Sequence, residues 1–346
     1  MGKYIVKRIA YMLIVLVLLS FIMFWLYNTA WGDRAFTLAD QEVRAIKNLT
    51  TEQREALFQQ KYLEYKRAYG TDNPSKVVQY LRWVGLYPYY DGQFNGLLQG
   101  NLGHSEYYHA EVADVIVEPM RITVIMNIFA TIIALGITIP LGIHCAVKRG
   151  KFGDKIMQVI TIIGYSLPTF LIALLFIWIF AAQLGWLPPS GMQTPGNEFT
   201  GIAKILDTLY YFALPMIVMT FCSMGGMTRY VRASMIDALS MDCIKTARAK
   251  GLREKVVIYS HAWHNALIPI VTLVVGWFLG IFSGSLVIEQ IFSINGMGQV
   301  MINALRGSDN DLIMFLQLFY VLIALLGNLI IDIAYGLVDP RVRVNK

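Results

Sequence analysis

Several signatures of chemistry are missing from this sequence. It contains no GxxxxGK(S/T) loop to cradle a nucleotide's phosphates, no HExxH pair, and no Ser, His and Asp set in a recognisable arrangement. Cysteine is scarce as well, with three residues in all. Cys145 and Cys222 fall in apolar runs and Cys243 in a basic loop, which leaves no disulfide framework. Charge is the largest deficit. Only 15% of the 346 residues are charged against 56% apolar, and mean hydropathy is +0.52. Soluble chains carry about 25% charged residues, so the deficit places this protein in a bilayer.

Crossing the hydrocarbon as helix takes about 20 apolar residues. Six segments reach or approach that length: 9–27, 122–147, 156–184, 210–227, 266–288 and 312–337. They predict an all-α, polytopic membrane protein with six transmembrane helices. The 210–227 segment is the shortest and is interrupted by Pro215, while Pro140, Pro168 and Pro269 fit kinks in other spans. Lys3, Lys7 and Arg8 precede the first span as in a signal peptide, but the apolar run is too long and lacks a small-residue cleavage site, so a retained helix is expected. Trp25, Tyr27 and Trp31 mark its far interface.

The basic residues give the orientation. With the N-terminus inside, segments 1–8, 148–155, 228–265 and 338–346 hold 17 basic and five acidic residues, and the outside segments 12 and 17. This predicts an N-in/C-in topology. The net charge of +6 is then a topology signal and gives no support to a nucleic-acid partner. The predicted domains are an N-terminal transmembrane helix (1–31), an extracytoplasmic loop with short helices (32–119), a five-helix membrane domain (120–337) with a cytoplasmic loop at 228–265, and a cytoplasmic tail (338–346).

Two helices are expected in the long outer loop. Thr50 and Gln53 form a capping box ahead of a charged helix ended by Gly70, and a second helix starts at Asn73 with Pro74 in its first turn and stops by Gly85. The Tyr- and Gly-rich stretch YPYYDGQFNGLLQGNLG reads as aromatic packing on the membrane face or as a binding surface. The turn KRGKFGDK simply anchors the second and third spans.

The cytoplasmic loop is more informative. Its 38 residues contain one glycine and no proline, so it is expected to fold into short helices along the membrane surface. Within it lies TARAKGL. Ala247 and Ala249 are small, and Gly251 permits a turn, so the backbone can approach another protein closely while Arg248, Lys250 and Arg253 face an acidic rim. The same pattern also suits a basic helix held by anionic headgroups of the membrane lipid.

The motifs around that loop resemble the permease subunits of binding-protein-dependent ABC importers, in their oligopeptide and dipeptide branch. MDCIKTARAKGLREKVVIYSHAWHNALIPIVT is similar to the family's EAA-type segment, with Gly251 at the family glycine and Ala247 at the last alanine. Lys245 stands where the general motif has an acidic residue, and Pro269 comes later than in sugar permeases, both as in the peptide branch. LLQGNLGHS, SLPTF, LGWLPPSGM, NGMGQVMINAL and LVDPRVR resemble further family segments in the same order. The stretch from Arg34 to Arg67 is longer than is usual there.

The resemblance implies a type I importer permease fold over 120–337 and a place in a bacterial inner membrane. It implies a second homologous permease, two ATP-binding subunits and an extracytoplasmic peptide-binding protein as partners. ATP and Mg would be bound by those ATPase subunits and no cofactor by this chain, which is then a transport subunit and not an enzyme. Residues 240–255 would dock on an ATPase subunit through Asp242, Lys245, Thr246, Ala247, Arg248, Ala249, Lys250 and Gly251. Cargo in this branch includes short peptides, nickel chelates and some oligosaccharides. A proton-coupled secondary transporter is the rival reading and would need several carboxylates at mid-membrane; Asp332 is the one found, near a span's end.

Gly276, Gly280 and Gly284 recur every four residues and predict one close-packing helical face, against the paired permease, along the translocation path, or within the chain. Glu289 reads as a solvated interfacial carboxylate or as part of an outer gate. Asp332 is expected to make a polar contact with Asn328 or a neighbouring helix. His261 and His264 lack further ligands at metal spacing.

Overall fold

A computed structural model describes residues 2–30, 32–47, 50–197 and 199–338. Trp31 and the tail expected at 338–346, apart from Val338, therefore lie outside the described residues, as does most of the LVDPRVR motif. In chain order the helices are α1 (Gly2–Ala30), α2 (Arg34–Ala45), α3 (Thr51–Ala68), α4 (Lys76–Val84), α5 (Val112–Val147), α6 (Phe152–Ser166), α7 (Thr169–Phe176), α8 (Gly201–Ser240), α9 (Asp242–Ala249), α10 (Glu254–Val256), α11 (Trp263–Gly280), α12 (Leu286–Ile291), α13 (Met297–Arg306) and α14 (Asn310–Val338). Strands β1 (His104–Ser105) and β2 (Ala110–Glu111) form a small antiparallel hairpin. The chain divides into two units: a membrane unit built on 116–302 with the helix ends 2–9 and 323–338, and a second unit of 10–115 and 303–322.

Among the described residues, α1, α5, α8 and α14 are long and apolar enough to cross a membrane, and two bent helix pairs raise the number to six if each is one span. The first pair, α6 with α7 and its π-helical continuation Ile177–Gln183, bends by 110°. Pro168 causes that break: it has no N–H to donate, and it forces Leu167 into extended backbone at ψ 138°. The second pair bends by 64° at Pro269.

Two span expectations need correction. Pro215 does not interrupt its span; α8 runs through it for 40 residues, and buried neighbours pack around the ring. The 266–288 segment is not one helix, because α11 ends at Gly280 and α12 begins only at Leu286. An apolar run is blind to this, since a broken chain shielded by protein needs the same apolar residues as a helix.

One buried cluster of the membrane unit joins α5, α8, α9 and α11 through Ile143, Met227, Val231, Ile244, Val257 and Ile270. A second joins α5, α7, α8 and α12 through Met126, Ile172, Leu214 and Ile288. Many other apolar side chains, among them Ile132, Leu174 and Ile330, are exposed, as suits helices facing lipid.

In the second unit, α3 has the expected capping box: Thr50 accepts from the Gln53 N–H, and the Gln53 side chain accepts from the Thr50 N–H. Gly70 follows its end at φ +66°. Helix α4 starts at Lys76, later than expected, so Pro74 precedes the helix; Gly85 ends it in left-handed backbone. Helix α2 is additional, with Asp33 as its cap. The Tyr-rich stretch packs against cations: Arg67 lies 3.9 Å over the exposed Tyr90 ring, and Arg82, deeply buried, donates to the Gly70 and Pro88 carbonyls. Burial pushes the Tyr69 phenol up to about 12, so it stays neutral beside Arg34.

Candidate functional site

Helix α9 is a short amphipathic rod. Asp242 heads it, and Met241, in extended backbone, separates it from α8. Ile244 and Ala247, three residues apart and so on one face, are buried among Met235, Ala238, Val257 and Ala262. Asp242, Cys243, Lys245, Thr246, Arg248, Ala249 and Lys250 are exposed on the remaining faces. Ala247 was expected to admit another protein's backbone. It meets this chain's own core instead, because the small side chain lets α9 settle on α8 and the 257–262 turn.

The turn after α9 depends on one glycine. Gly251 has φ +77°, where an L side chain is strained, and its N–H bonds to the Arg248 carbonyl at 2.9 Å. Among the described residues, an added Cβ there would meet no atom within 4 Å beyond its chain neighbours. The requirement inside this chain is thus one of backbone conformation, and the space beyond Gly251 is open. Arg248 then reaches forward to Glu254 at 2.7 Å, and Lys245 back to Asp242 at 2.8 Å. Both pairs are exposed, so each contributes at most about 1 kcal/mol.

A stronger ion pair roots the neighbouring helix. The Asp154 carboxylate, at the start of α6, is fully buried; it accepts from Arg232 Nε and Nη2 at 2.7 and 2.8 Å and from the Gly150 N–H at 2.8 Å. KRGKFGDK is therefore more than a joint: it clamps the α5–α6 turn to the part of α8 that leads into α9. The signal in the sequence was a single acid in a basic turn.

Elsewhere in the membrane unit, Gly276 and Gly280 lie on α11, and among the described residues no atom beyond their own stretch of helix comes within 4 Å of an added Cβ. Gly284 is not on that face, since α11 has ended. It packs inside the chain, against the Gly298 N–H and the Glu289 carboxylate. Glu289 is fully buried, which corrects the solvated reading. Its carboxylate accepts from Thr123 Oγ1 at 3.1 Å and from the Gln299 N–H at 3.0 Å, and Thr123 in turn accepts from the Met297 N–H at 2.9 Å. Gly284, Gly296 and Gly298 all crowd that carboxylate so closely that a Cβ on any of them would overlap it. Glu289 thus ties the irregular 281–298 segment to α5. Asp332 finds its partner on a neighbouring helix, as expected: Arg8 of α1 pairs with it at 3.0 Å, bringing the start of the first helix and the end of the last to one level.

Residues 138–344 match the model for the inner membrane component of binding-protein-dependent transport systems. The chain belongs to this family. It is 31% identical to the oligopeptide transport system permease protein AppB of Bacillus subtilis over 99% of both chains. It is 33% identical to the oligopeptide transport system permease protein OppB of Haemophilus influenzae over 75% of this chain and 81% of that one. To the glutathione transport system permease protein GsiC of Escherichia coli strain K12 it is 29% identical over 99% of both. The permease is an ABC importer component of the peptide branch and a multi-pass protein of the inner membrane. The family match spans α9, the Asp154–Arg232 clamp and Glu289 itself, while its partner Thr123 lies before the matched residues.

Proposed function

We propose that this permease is the membrane-spanning subunit of an ATP-driven importer of short peptides. It pairs with a second, homologous permease, receives cargo from an extracytoplasmic peptide-binding protein, and is driven by two ATP-binding subunits that hold ATP and Mg. This chain binds no cofactor and hydrolyses nothing; its part is mechanical.

The observation that carries the reading is α9, a rod whose polar faces are exposed and whose apolar face is embedded in the bundle. Closure of the ATPase subunits pushes on the exposed faces. Ile244 and Ala247 pass that motion to α8 and to the turn that leads into α11, since all of these share one buried cluster. The Asp154–Arg232 pair makes α6 follow α8. The same geometry supports an N-in/C-in orientation: basic α9 faces the cytoplasm, and the Arg8–Asp332 pair sets the start of α1 and the end of α14 on one side. Gly276 and Gly280 offer an open, small-residue face to the paired permease or the translocation path. Glu289 and Gly284 hold that region's backbone in place from within.

The test is co-purification of the tagged permease with its ATPase subunits from mild detergent, followed by ATPase and uptake assays in proteoliposomes. Retention of both subunits and ATP-dependent peptide uptake support the reading. A chain that elutes alone and moves solute on a proton gradient without ATP refutes it.

A further inference from the structure

Helix α4 belongs to the outer loop by sequence, yet its contacts set it at membrane depth. The apolar run 9–27 of α1 is just long enough to cross the hydrocarbon, so the outer boundary falls near Asn28, which ends that run. Asn28 Nδ2 lies 3.9 Å from the Met314 sulfur, in the second turn of α14, where that helix's apolar run also begins. Two spans thus agree on the level. Tyr80, in the middle of α4, reaches far below it. Its hydroxyl lies 2.7 Å from Ser20 Oγ and 3.4 Å from the Val17 carbonyl, and its ring meets Phe21 and Phe24 edge-on, with centroids 5.2 and 5.8 Å apart. Ser20 is two turns of α1 below Asn28, about 12 Å along the axis, which exceeds the reach of a tyrosine side chain. Trp83 packs on Phe24 at 5.5 Å, one turn below Asn28. The α4 backbone therefore lies below the boundary.

The charge pattern agrees with that depth. Lys76 and Arg82 are the charged residues of α4, and neither is exposed. Arg82 turns inward onto Asp72 and two backbone carbonyls, and Lys76 bonds to Gln79 Oε1 at 3.2 Å. What α4 and its flanks do expose is apolar: Val77, Leu86 and Leu98 are 53, 58 and 66% exposed. Leu86 directly follows Gly85 at the end of α4, and the Leu98 turn is held to the same point, since Gln99 Nε2 donates to the Gly85 carbonyl at 3.1 Å. Helix α3 of the same unit is the contrast, with Glu52, Arg54, Glu55 and Glu64 exposed along it.

We propose that α4 and the turns at Leu86 and Leu98 form an anchor embedded in the outer leaflet of the bilayer, with lipid acyl chains as the partner of Val77, Leu86 and Leu98. Tyr90, which carries Arg67 of the charged helix 3.9 Å over its ring, marks the headgroup level. Lipid already surrounds this unit along α1, so the anchor extends an existing interface. The inference rests on α1, α4 and α14 and not on the importer reading.

The test is photolabelling of the wild-type chain in nanodiscs whose phosphatidylcholine carries a diazirine midway along one acyl chain. It is run on the chain alone and on the chain with whatever subunits co-purify, and crosslinks are mapped by peptide mass. Acyl crosslinks to 77–98 in both preparations, at yields like those of α1 and well above those of α3, support the anchor. In right-side-out vesicles, Leu98→Cys is expected to react with a water-soluble maleimide about tenfold more slowly than Glu55→Cys, because a thiol in hydrocarbon stays protonated and out of the reagent's reach. Crosslinks that label α1 and spare 77–98, or equal maleimide rates, overturn the proposal. Crosslinks to 77–98 that vanish when other subunits are present also overturn it, and assign the face to one of those subunits. The photolabelling needs no substitution, so it remains decisive if a variant fails to fold, and no transport is measured, so the importer reading stands or falls separately.

Discussion

The Arg232 guanidinium grips the fully buried Asp154 carboxylate with two hydrogen bonds, at 2.7 and 2.8 Å, across the gap between α8 and the turn that opens α6. Asp154→Ala would leave the Arg232 guanidinium, about a fifth exposed, without its buried counter-charge. It is therefore expected to destabilise the protein by about 1–3 kcal/mol, measured as a lower midpoint of thermal unfolding in detergent. The pair Asp154→Leu with Arg232→Met is expected to recover most of that loss, and failure to recover would mean that the clamp acts through something other than charge pairing.

Ile244 is the root of α9. Replacing it with Ala is expected to cost about 2–5 kcal/mol of packing. Because α9 otherwise touches solvent, the loss should appear as ATP hydrolysis no longer matched by uptake, with insertion unchanged. Uptake and hydrolysis falling in constant ratio would contradict a lever role.

Gly251 separates strain from docking. Gly251→Ala and Gly251→Leu pay the same left-handed backbone penalty of about 1–2 kcal/mol, and neither Cβ comes within 4 Å of another atom among the described residues beyond its chain neighbours. A larger coupling defect in the Leu variant than in the Ala variant is expected if a partner's surface lies against the turn. Equal defects would place the whole effect in the backbone.

Around Glu289 the expected outcome is a local collapse of order. Gly298→Ala overlaps the carboxylate and the α12 backbone at Leu286, and Glu289→Ala orphans the Thr123 and Gln299 donors at about 1–3 kcal/mol. Both should speed amide hydrogen exchange across 281–298 while α8 stays protected. Gly280→Leu, on an open face, should leave exchange unchanged and instead weaken recovery of the paired permease.

The sequence made the spans legible as apolar runs, and the Thr50–Gln53 cap and Gly251 turn as local chemistry that needs no tertiary information. Other features lay beyond it for a shared reason. Glu289 reads as a surface acid until Thr123, far away in sequence, is placed beside it. Asp154 reads as a loop charge until Arg232 arrives. Ala247 resembles a contact residue because small side chains suit both an interface and a helix crossing within one chain. Gly284 continues a perfect four-residue period, yet the helix ends before it, since periodicity does not report where backbone hydrogen bonding stops.

The most direct measurement of the central claim uses Cys243. This free thiol is exposed on α9, while Cys145 is buried and Cys222 half-buried. Maleimide labelling at Cys243, mapped by peptide mass in native membranes, should be fast when the permease is expressed without its ATPase subunits and strongly slowed when they are present. Labelling of Cys243 at the same rate in both, with the ATPase subunits shown to be bound, would contradict docking through α9.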